Sequence, residues 1–153
     1  MAMFVNPDNS AFQVALNSEI YVDKTGMLEY TNKVMNTLQG YICNSRPRRF
    51  GKSVTANMLA AYYSKGCDSR EMFSTLKISE SIGFKKNINK YDVIYIDFSR
   101  LPENCQTYEE YINRIKTGIK EDLLEEFSEL ELKEEMSLWD ILAKIFQKTN
   151  RKF

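Results

Sequence analysis

The sequence predicts an α/β fold in three layers, in which helices cover both faces of a parallel sheet. Two stretches favour strands, residues 40–44 (Gly-Tyr-Ile-Cys-Asn) and residues 93–98 (Val-Ile-Tyr-Ile-Asp-Phe). The second stretch is nearly continuous and apolar, which is typical of a strand buried on both faces of a sheet. Helical segments lie between and after the two stretches, and an α/β layer fold has this order of elements.

Four helical segments are predicted in the first half of the chain. They cover residues 10–17, 26–36, 53–65 and 69–76. The third has apolar side chains along one side, and Gly66 follows it. Glycine commonly ends a helix because it adopts a left-handed conformation without steric cost.

Two further helices are predicted in the second half. Thr107 and Glu110 form a capping-box pattern, in which each side chain satisfies a backbone N–H at the start of a helix. Apolar residues follow at helical spacing as far as Phe127, and the opposite face is acidic and solvated. A last helix is expected to begin at Ser137 and to end near Asn150.

The predicted sheet is incomplete. Sheets usually contain about four to six strands, and this chain supplies two convincing ones. Its 153 residues correspond to about one domain. We therefore expect one domain over residues 1–153 that ends where another strand could begin. The exposed edge of such a sheet predicts self-association or pairing with a strand of a partner.

Composition excludes several classes of protein. The chain is 43% hydrophobic and 27% charged, with 6 Gly and 3 Pro, which excludes collagen-like and disordered proteins. No apolar run approaches the roughly 18 residues of a membrane-spanning helix, so no membrane partner is expected. The N-terminal residues lack the pattern of a secretory signal. We therefore expect a cytoplasmic protein.

The residue types also limit the chemistry. The chain has no histidine, which excludes histidine-based catalytic triads and His-ligated zinc. Cys43, Cys67 and Cys105 lie far apart, and we expect reduced thiols that pack as small buried side chains. The net charge is zero, which argues against nucleic-acid binding through overall charge. Residues 1–66 hold 7 basic and 4 acidic side chains, so a basic site is expected in the first half.

One motif points to chemistry. Gly51-Lys52-Ser53 lies between a predicted strand and a predicted helix, which is the context of a phosphate-binding loop. The N-terminus of a helix presents unpaired N–H groups and a partial positive charge to an anion. Lys52 can reach the outer phosphates, and the Ser53 hydroxyl can bind Mg²⁺. The usual pattern has a first glycine at position 46, where this chain has Arg46. The alternative is a basic loop that caps a helix.

The residues before this motif have two interpretations. Arg46, Arg48 and Arg49 can contact phosphates or a nucleic-acid backbone. Alternatively they are solvated charges or ion-pair partners of the acidic helices, which we favour for Arg48 and Arg49 taken singly. We expect Phe50 to be a packing residue rather than a surface on which a base stacks.

Asp97, which follows three apolar residues, also has two interpretations. It can be an aspartate that holds Mg²⁺ through water at the end of a strand. Alternatively its carboxylate caps a turn together with Ser99. We favour the interpretation of Asp97 as a turn cap.

The octapeptide Arg-Pro-Arg-Arg-Phe-Gly-Lys-Ser at residues 46–53 is more distinctive than its last three residues. Tyr-Val-Asp-Lys-Thr precedes it at residues 21–25, and Leu-Ala-Ala-Tyr-Tyr follows at residues 59–63. With these segments the chain resembles the N-terminal part of the AAA-ATPase-like family. Members are bacterial proteins with this modified loop, and they often carry a C-terminal nuclease-like domain of the PD-(D/E)XK superfamily. Arg46 in place of glycine is a trait of that family.

The resemblance implies a P-loop NTPase fold, with ATP and Mg²⁺ as ligands. The resemblance implies that the nucleotide contacts the loop and the start of the following helix. The contacting residues are Arg46, Arg48, Arg49, Phe50, Gly51, Lys52, Ser53 and Val54. Ser53 is also expected to bind the metal ion. In the family the Walker B strand lies beyond the end of this chain, so Asp97 is not expected to be its aspartate. We therefore expect an N-terminal part of a longer ATPase, which binds ATP and hydrolyses it feebly by itself.

Two alternatives to ATP binding stay open. The first is a module that contacts nucleic acid through the arginine-rich loop. We expect nucleic acid to be a partner only through the longer protein. Such a module predicts salt-sensitive binding that needs no ATP. The second is a structural or interaction module without a bound nucleotide, which predicts oligomers in solution. Residues 21–25 have no assigned role, and two alternatives stay open: they pack beside the nucleotide, or they only order the N-terminal segment.

Overall fold

The computed structural model describes residues 3–99 and 104–153. The described residues form seven α-helices and two short 3₁₀ helices at Lys77–Glu80 and Ser128–Leu130. The α-helices are α1 (Ser10–Leu16), α2 (Gly26–Val34), α3 (Lys52–Tyr63), α4 (Arg70–Phe73), α5 (Phe84–Asn87), α6 (Tyr108–Glu126) and α7 (Leu138–Thr149).

The chain divides into two compact units. The central unit comprises Asp8–Tyr91 and contains α1 to α5. The terminal unit comprises Met1–Pro7 and Asp92–Phe153 and contains α6 and α7. No helix in the described ranges is both long and apolar enough to cross a membrane.

The predicted α/β fold with a parallel sheet is wrong, because the described residues are helical and contain no sheet. Residues 40–44 are exposed throughout, with Tyr41 at 96% and Ile42 at 41% of full exposure. Residues 93–97 are half-buried, and within the described ranges their backbone pairing with residues 4–6 forms a single antiparallel bridge between Val5 and Ile94.

The physical reason for the error is that a strand requires a partner backbone as well as a suitable composition. Asn6 donates to the Val93 carbonyl at 2.8 Å and Tyr95 donates to the Phe4 carbonyl at 2.8 Å. The pairing continues no further along the described chain. The exposed sheet edge on which the prediction of self-association was based is therefore absent from the described residues. Self-association itself stays a prediction.

The helix predictions are confirmed to within a few residues, because their signals are local. Thr107 and Glu110 form both hydrogen bonds of the capping box at the start of α6. The Ser137 side chain accepts a hydrogen bond from the Asp140 N–H at the start of α7. The third helix ends at Tyr63, three residues before the predicted stop at Gly66.

The core of the central unit is aromatic. Phe12 of α1 stacks on Phe73 of α4 with ring centroids 5.1 Å apart, and Tyr62 of α3 meets Phe73 edge-on at 5.3 Å. All three side chains are fully buried. Tyr62 also lies 6.2 Å from the Phe84 ring of α5, so the buried face of α3 packs against aromatic rings from α4 and α5.

The core of the terminal unit lies between α6 and α7. Buried side chains of α6, at the predicted helical spacing, pack against Ile141 and Ile145 of α7; on α6 they are Tyr111, Ile115, Ile119 and Leu123. The Phe4 ring lies against Gly118, where a Cβ atom would overlap it. Gly118 in the middle of α6 is therefore explained by the close approach of Phe4.

Charged groups join the distant segments of the terminal unit. The Asp92 side chain is only 2% exposed and is paired with the Arg151 guanidinium, with Nε 2.8 Å from Oδ2. Asn6 donates to the carboxylates of Asp92 and Glu126, each at 3.2 Å. Arg151 also lies 4.4 Å from the centre of the Phe127 ring. Hydrogen bonding to Asp92 raises the pKa of Arg151 above its ordinary value.

The acidic face of α6 is partly bound rather than only solvated as predicted. Asp122 accepts hydrogen bonds from the backbone N–H groups of Phe4 and Val5. Glu121 and Glu125 are exposed. The acidic pattern therefore contains both a carboxylate that binds backbone N–H groups and carboxylates that are exposed to solvent. The sequence alone does not distinguish them.

The prediction for the thiols is confirmed in part. Cys43, Cys67 and Cys105 are free cysteines, as expected. Cys67 and Cys105 are half-buried, whereas Cys43 is exposed because the stretch at residues 40–44 is not a buried strand.

We predict that Arg151→Ala destabilises the terminal unit by about 2 kcal/mol, because it removes the guanidinium that hydrogen-bonds to the buried Asp92 carboxylate. Arg114→Ala, which removes an exposed arginine from α6, is the matched control and should change stability by less than about 0.5 kcal/mol. Urea unfolding followed by circular dichroism measures both. Equal stabilities of the two variants would contradict the prediction.

Candidate functional site

The candidate site is the loop before α3, where the sequence predicts phosphate binding. Gly51 is the N-cap of α3 and has a left-handed backbone, with φ of +73°. The first hydrogen bond of the helix runs from the Thr55 N–H to the Gly51 carbonyl at 2.9 Å. The N–H groups of Lys52, Ser53 and Val54 therefore have no acceptor within the helix, as at any helix start. Three N–H donors at the positive end of the helix dipole can bind an anion.

Lys52 reaches back across this loop. Its Nζ donates to the Arg46 carbonyl at 2.7 Å and to the Pro47 carbonyl at 3.1 Å. The Lys52 side chain therefore connects the start of α3 to the first two residues of the loop. A phosphate bound by Lys52 would replace these two carbonyl acceptors with charged oxygens, which form stronger hydrogen bonds with an ammonium group.

The arginines of the loop supply further positive charge. Arg46, Arg48 and Arg49 are all exposed, and the described part of the chain gives none of them an ion pair. The alternative in which Arg48 and Arg49 pair with acidic helices therefore has no counterpart there. Solvated charge and anion contact both remain consistent with this exposure.

Phe50 differs from its prediction as a packing residue, because 61% of it is exposed. It stands between two left-handed residues, Arg49 with φ of +66° and Gly51. Its side chain is therefore on the surface of the loop, while its backbone carbonyl accepts a hydrogen bond from another part of the central unit.

Ser53 and Val54 lie in the first turn of α3. Ser53 is exposed, so its hydroxyl is accessible to a metal ion that is bound together with a phosphate. Val54 is half-buried, and its Cβ is 4.0 Å from the position that a Cβ on Gly51 would take. Among the described residues no group of three acidic or cysteine side chains forms a metal site by itself. A metal ion here would thus depend on phosphate oxygens for part of its coordination.

The structure brings one residue to the loop that sequence analysis did not assign. Lys24, in the Tyr-Val-Asp-Lys-Thr segment, donates from Nζ to the Phe50 carbonyl at 2.9 Å. The two residues are 26 positions apart in the chain. No local signal in the residues of this segment shows which part of the chain it contacts.

Asp23 and Thr25 fix the backbone on either side of Lys24. The Asp23 carboxylate accepts hydrogen bonds from the Thr25 N–H at 2.8 Å, the Thr25 hydroxyl at 2.7 Å and the Lys77 N–H at 2.8 Å. Thr25 is fully buried and accepts from the Ile78 N–H at 3.2 Å. Burial raises the pKa of Asp23, but these hydrogen bonds outweigh burial and lower it below the ordinary value.

Asp97 belongs to the terminal unit, whereas the loop belongs to the central unit. The Asp97 carboxylate accepts hydrogen bonds from the Ser99 N–H at 2.9 Å and the Ser99 hydroxyl at 2.6 Å. The favoured interpretation of Asp97 as a turn cap is therefore confirmed.

An open groove of about 710 Å³ lies in the central unit, between α1 and residues 68–76. Tyr21 contributes to its wall, but none of residues 46–54 does. Burial raises the pKa of the Tyr21 hydroxyl, and the nearby Asp23 charge adds to this effect. The groove is thus separate in its lining from the loop described above.

The comparisons with known proteins give one finding. A family sequence model described as Predicted AAA-ATPase matches residues 10–153, which is nearly the whole chain. No curated protein and no solved structure matches. The matched range includes the loop, α3 and the segment that carries Lys24.

We predict that Asp23→Asn lowers stability by about 1–2 kcal/mol at pH 7, because an amide nitrogen would face the Lys77 N–H donor. The folded-state pKa of Asp23 is lowered, so the stability that it contributes is present above its unfolded pKa of about 3.9 and is lost as pH falls through the folded value. The difference between wild type and variant should therefore narrow below about pH 4.

Urea unfolding at a series of pH values measures this difference. Glu19→Gln removes an exposed carboxylate from the same unit and should leave the pH dependence of the wild type unchanged. A stability gap that stays constant down to about pH 2 would contradict the assigned role of Asp23.

Proposed function

This chain belongs to the AAA-ATPase-like family, and on that premise we propose that it binds ATP with Mg²⁺ through residues 46–54. Three N–H groups at the start of α3 bind the phosphates. Lys52 binds the outer phosphates as a point charge, and the Ser53 hydroxyl is a ligand of Mg²⁺. Exposed arginines at 46, 48 and 49 add positive charge around the phosphates, and Phe50 and Val54 flank the turn.

The observation that carries this proposal is the left-handed Gly51 at the N-terminus of a twelve-residue helix. Without a side chain at this position, an anion can approach the backbone N–H groups closely. The exposed cations lie on the same short loop, which bound ATP would neutralise in part. The residues present therefore fit a magnesium-bound triphosphate.

A second candidate uses the same arginines. Arg46, Arg48 and Arg49 are exposed and make no ion pair in the described chain, which favours contact with the phosphates of a nucleic acid. This candidate requires binding of single-stranded DNA or RNA that weakens steeply with salt and proceeds without ATP. Binding of an oligonucleotide at several salt concentrations, with and without ATP, distinguishes the two candidates.

We predict that Lys52→Ala weakens the binding of ATP with Mg²⁺ by about 10- to 100-fold, since hydrogen bonds from a charged group contribute about 1.5–3 kcal/mol. Isothermal titration calorimetry measures the affinity. Lys33→Ala removes an exposed lysine from α2 in the same unit and should bind as the wild type does. Equal affinities of the Lys52 and Lys33 variants, or a folded wild type that binds no ATP, would overturn the proposal.

We predict a different result for Ser53→Ala. This variant should lose affinity in the presence of Mg²⁺ and should match the wild type when EDTA removes the metal, because only the metal contact is deleted. The same calorimetric titration, performed with Mg²⁺ and with EDTA, measures this difference. An equal loss under both conditions would contradict the role of Ser53 as a metal ligand.

A further inference from the structure

Lys24 approaches the Gly51 turn so closely that a side chain at position 51 would displace its ammonium group. Its Nζ lies 2.9 Å from the Phe50 oxygen, and a Cβ atom built on Gly51 would be 2.8 Å from that Nζ. Glycine at position 51 therefore serves two purposes. It adopts the left-handed turn, and it leaves room for the ammonium of Lys24.

The contact fixes the direction of one peptide group. The described chain contains no cis peptide bond, and in a trans peptide the C=O and the following N–H point in opposite directions. Because Lys24 holds the Phe50 carbonyl, the Gly51 N–H is directed away from Lys24. Gly51 is left-handed and Lys52 begins the helix, an alternation that brings successive N–H groups to one side of the backbone.

Lys24 is itself held in place from both sides. Asp23 is bound to the Lys77 N–H, and the buried Thr25 is bound to the Ile78 N–H. The backbone at position 24 is therefore attached to residues 77–78, and the lysine side chain reaches the loop from a fixed position. A lysine on a free surface segment would also lose backbone conformational entropy on making the same contact.

We propose that Lys24 is a positioning residue of the nucleotide loop, which holds the Phe50–Gly51 peptide so that the Gly51 N–H is available to phosphate. This inference rests on the proposed function and adds to it a residue that acts through the backbone of the loop. Without the ammonium the peptide can rotate, because glycine imposes little restriction of its own. The start of α3 would then present a less ordered set of donors.

The first test is the affinity of Lys24→Met for ATP with Mg²⁺. Methionine keeps most of the stem and lacks the donor. We expect a loss of affinity of about 10-fold, as for one charged hydrogen bond, with an unchanged melting temperature. Lys33→Met is the matched control from an exposed position on α2. A lowered melting temperature with unchanged affinity would show a merely structural role and would overturn the proposal.

The second test is a double-mutant cycle with Gly51→Ala. A methyl group at position 51 would meet the Lys24 ammonium, whereas a methionine side chain at position 24 ends one atom short and leaves room for it. Gly51→Ala should therefore weaken nucleotide binding less in the Lys24→Met background than in the wild type. Additive effects would mean that Lys24 acts separately from the Gly51 peptide, and would overturn the proposal.

The third test needs no nucleotide. Amide ¹⁵N relaxation measures the order parameter of the Gly51 N–H. We expect this N–H to be rigid in the wild type and in the control Lys33→Met, and mobile in Lys24→Met. If the wild type binds no ATP and Gly51 still becomes mobile in Lys24→Met, the proposed function fails and the positioning role of Lys24 stands. An equally rigid Gly51 amide in both variants overturns the positioning role, whatever the affinities are.

Discussion

The buried hydroxyl of Thr25 is the constraint on which the central unit and its loop depend. A buried polar group must find partners within the protein, and this one donates to Asp23 and accepts from the Ile78 N–H. Asp23 in turn satisfies the Lys77 N–H. These bonds attach the start of α2 to residues 77–78, and they thereby place Lys24 beside the loop. One short segment thus determines both where a helix begins and how the loop before α3 is supported.

The helices were predictable because their signals are contained in a few neighbouring residues. Thr107 and Glu110 cap α6 without any help from distant parts of the chain. The sheet was not predictable in this way, since composition shows that a segment suits a strand but not that a partner is present. Residues 93–98 have the composition of a buried strand, and in the structure they make one bridge with residue 5. Residues 40–44 make none in the described chain.

The candidate site was predictable to the same extent. Gly51-Lys52-Ser53 stands at the start of a helix, as its residue types indicated. The exposure of Phe50 and the contact from Lys24 were not predictable, because both depend on tertiary packing. The segment at residues 21–25 is distinctive only through resemblance to a family. Its physical connection with the loop is a hydrogen bond across 26 positions, which no local pattern encodes.

The two-part terminal unit has a consequence for the order of folding. Val5 and Ile94 are separated in the sequence by the whole central unit. Pairing them in an unfolded chain would close a long flexible loop, which is entropically costly. Within the central unit, Asn9 and Asn89 both hydrogen-bond to Ser69, so its two ends lie close together. A central unit that folds first therefore shortens the loop from about 90 residues to a handful, which lowers the closure cost by about 2 kcal/mol. The terminal unit then assembles as if its two segments were neighbours in the chain.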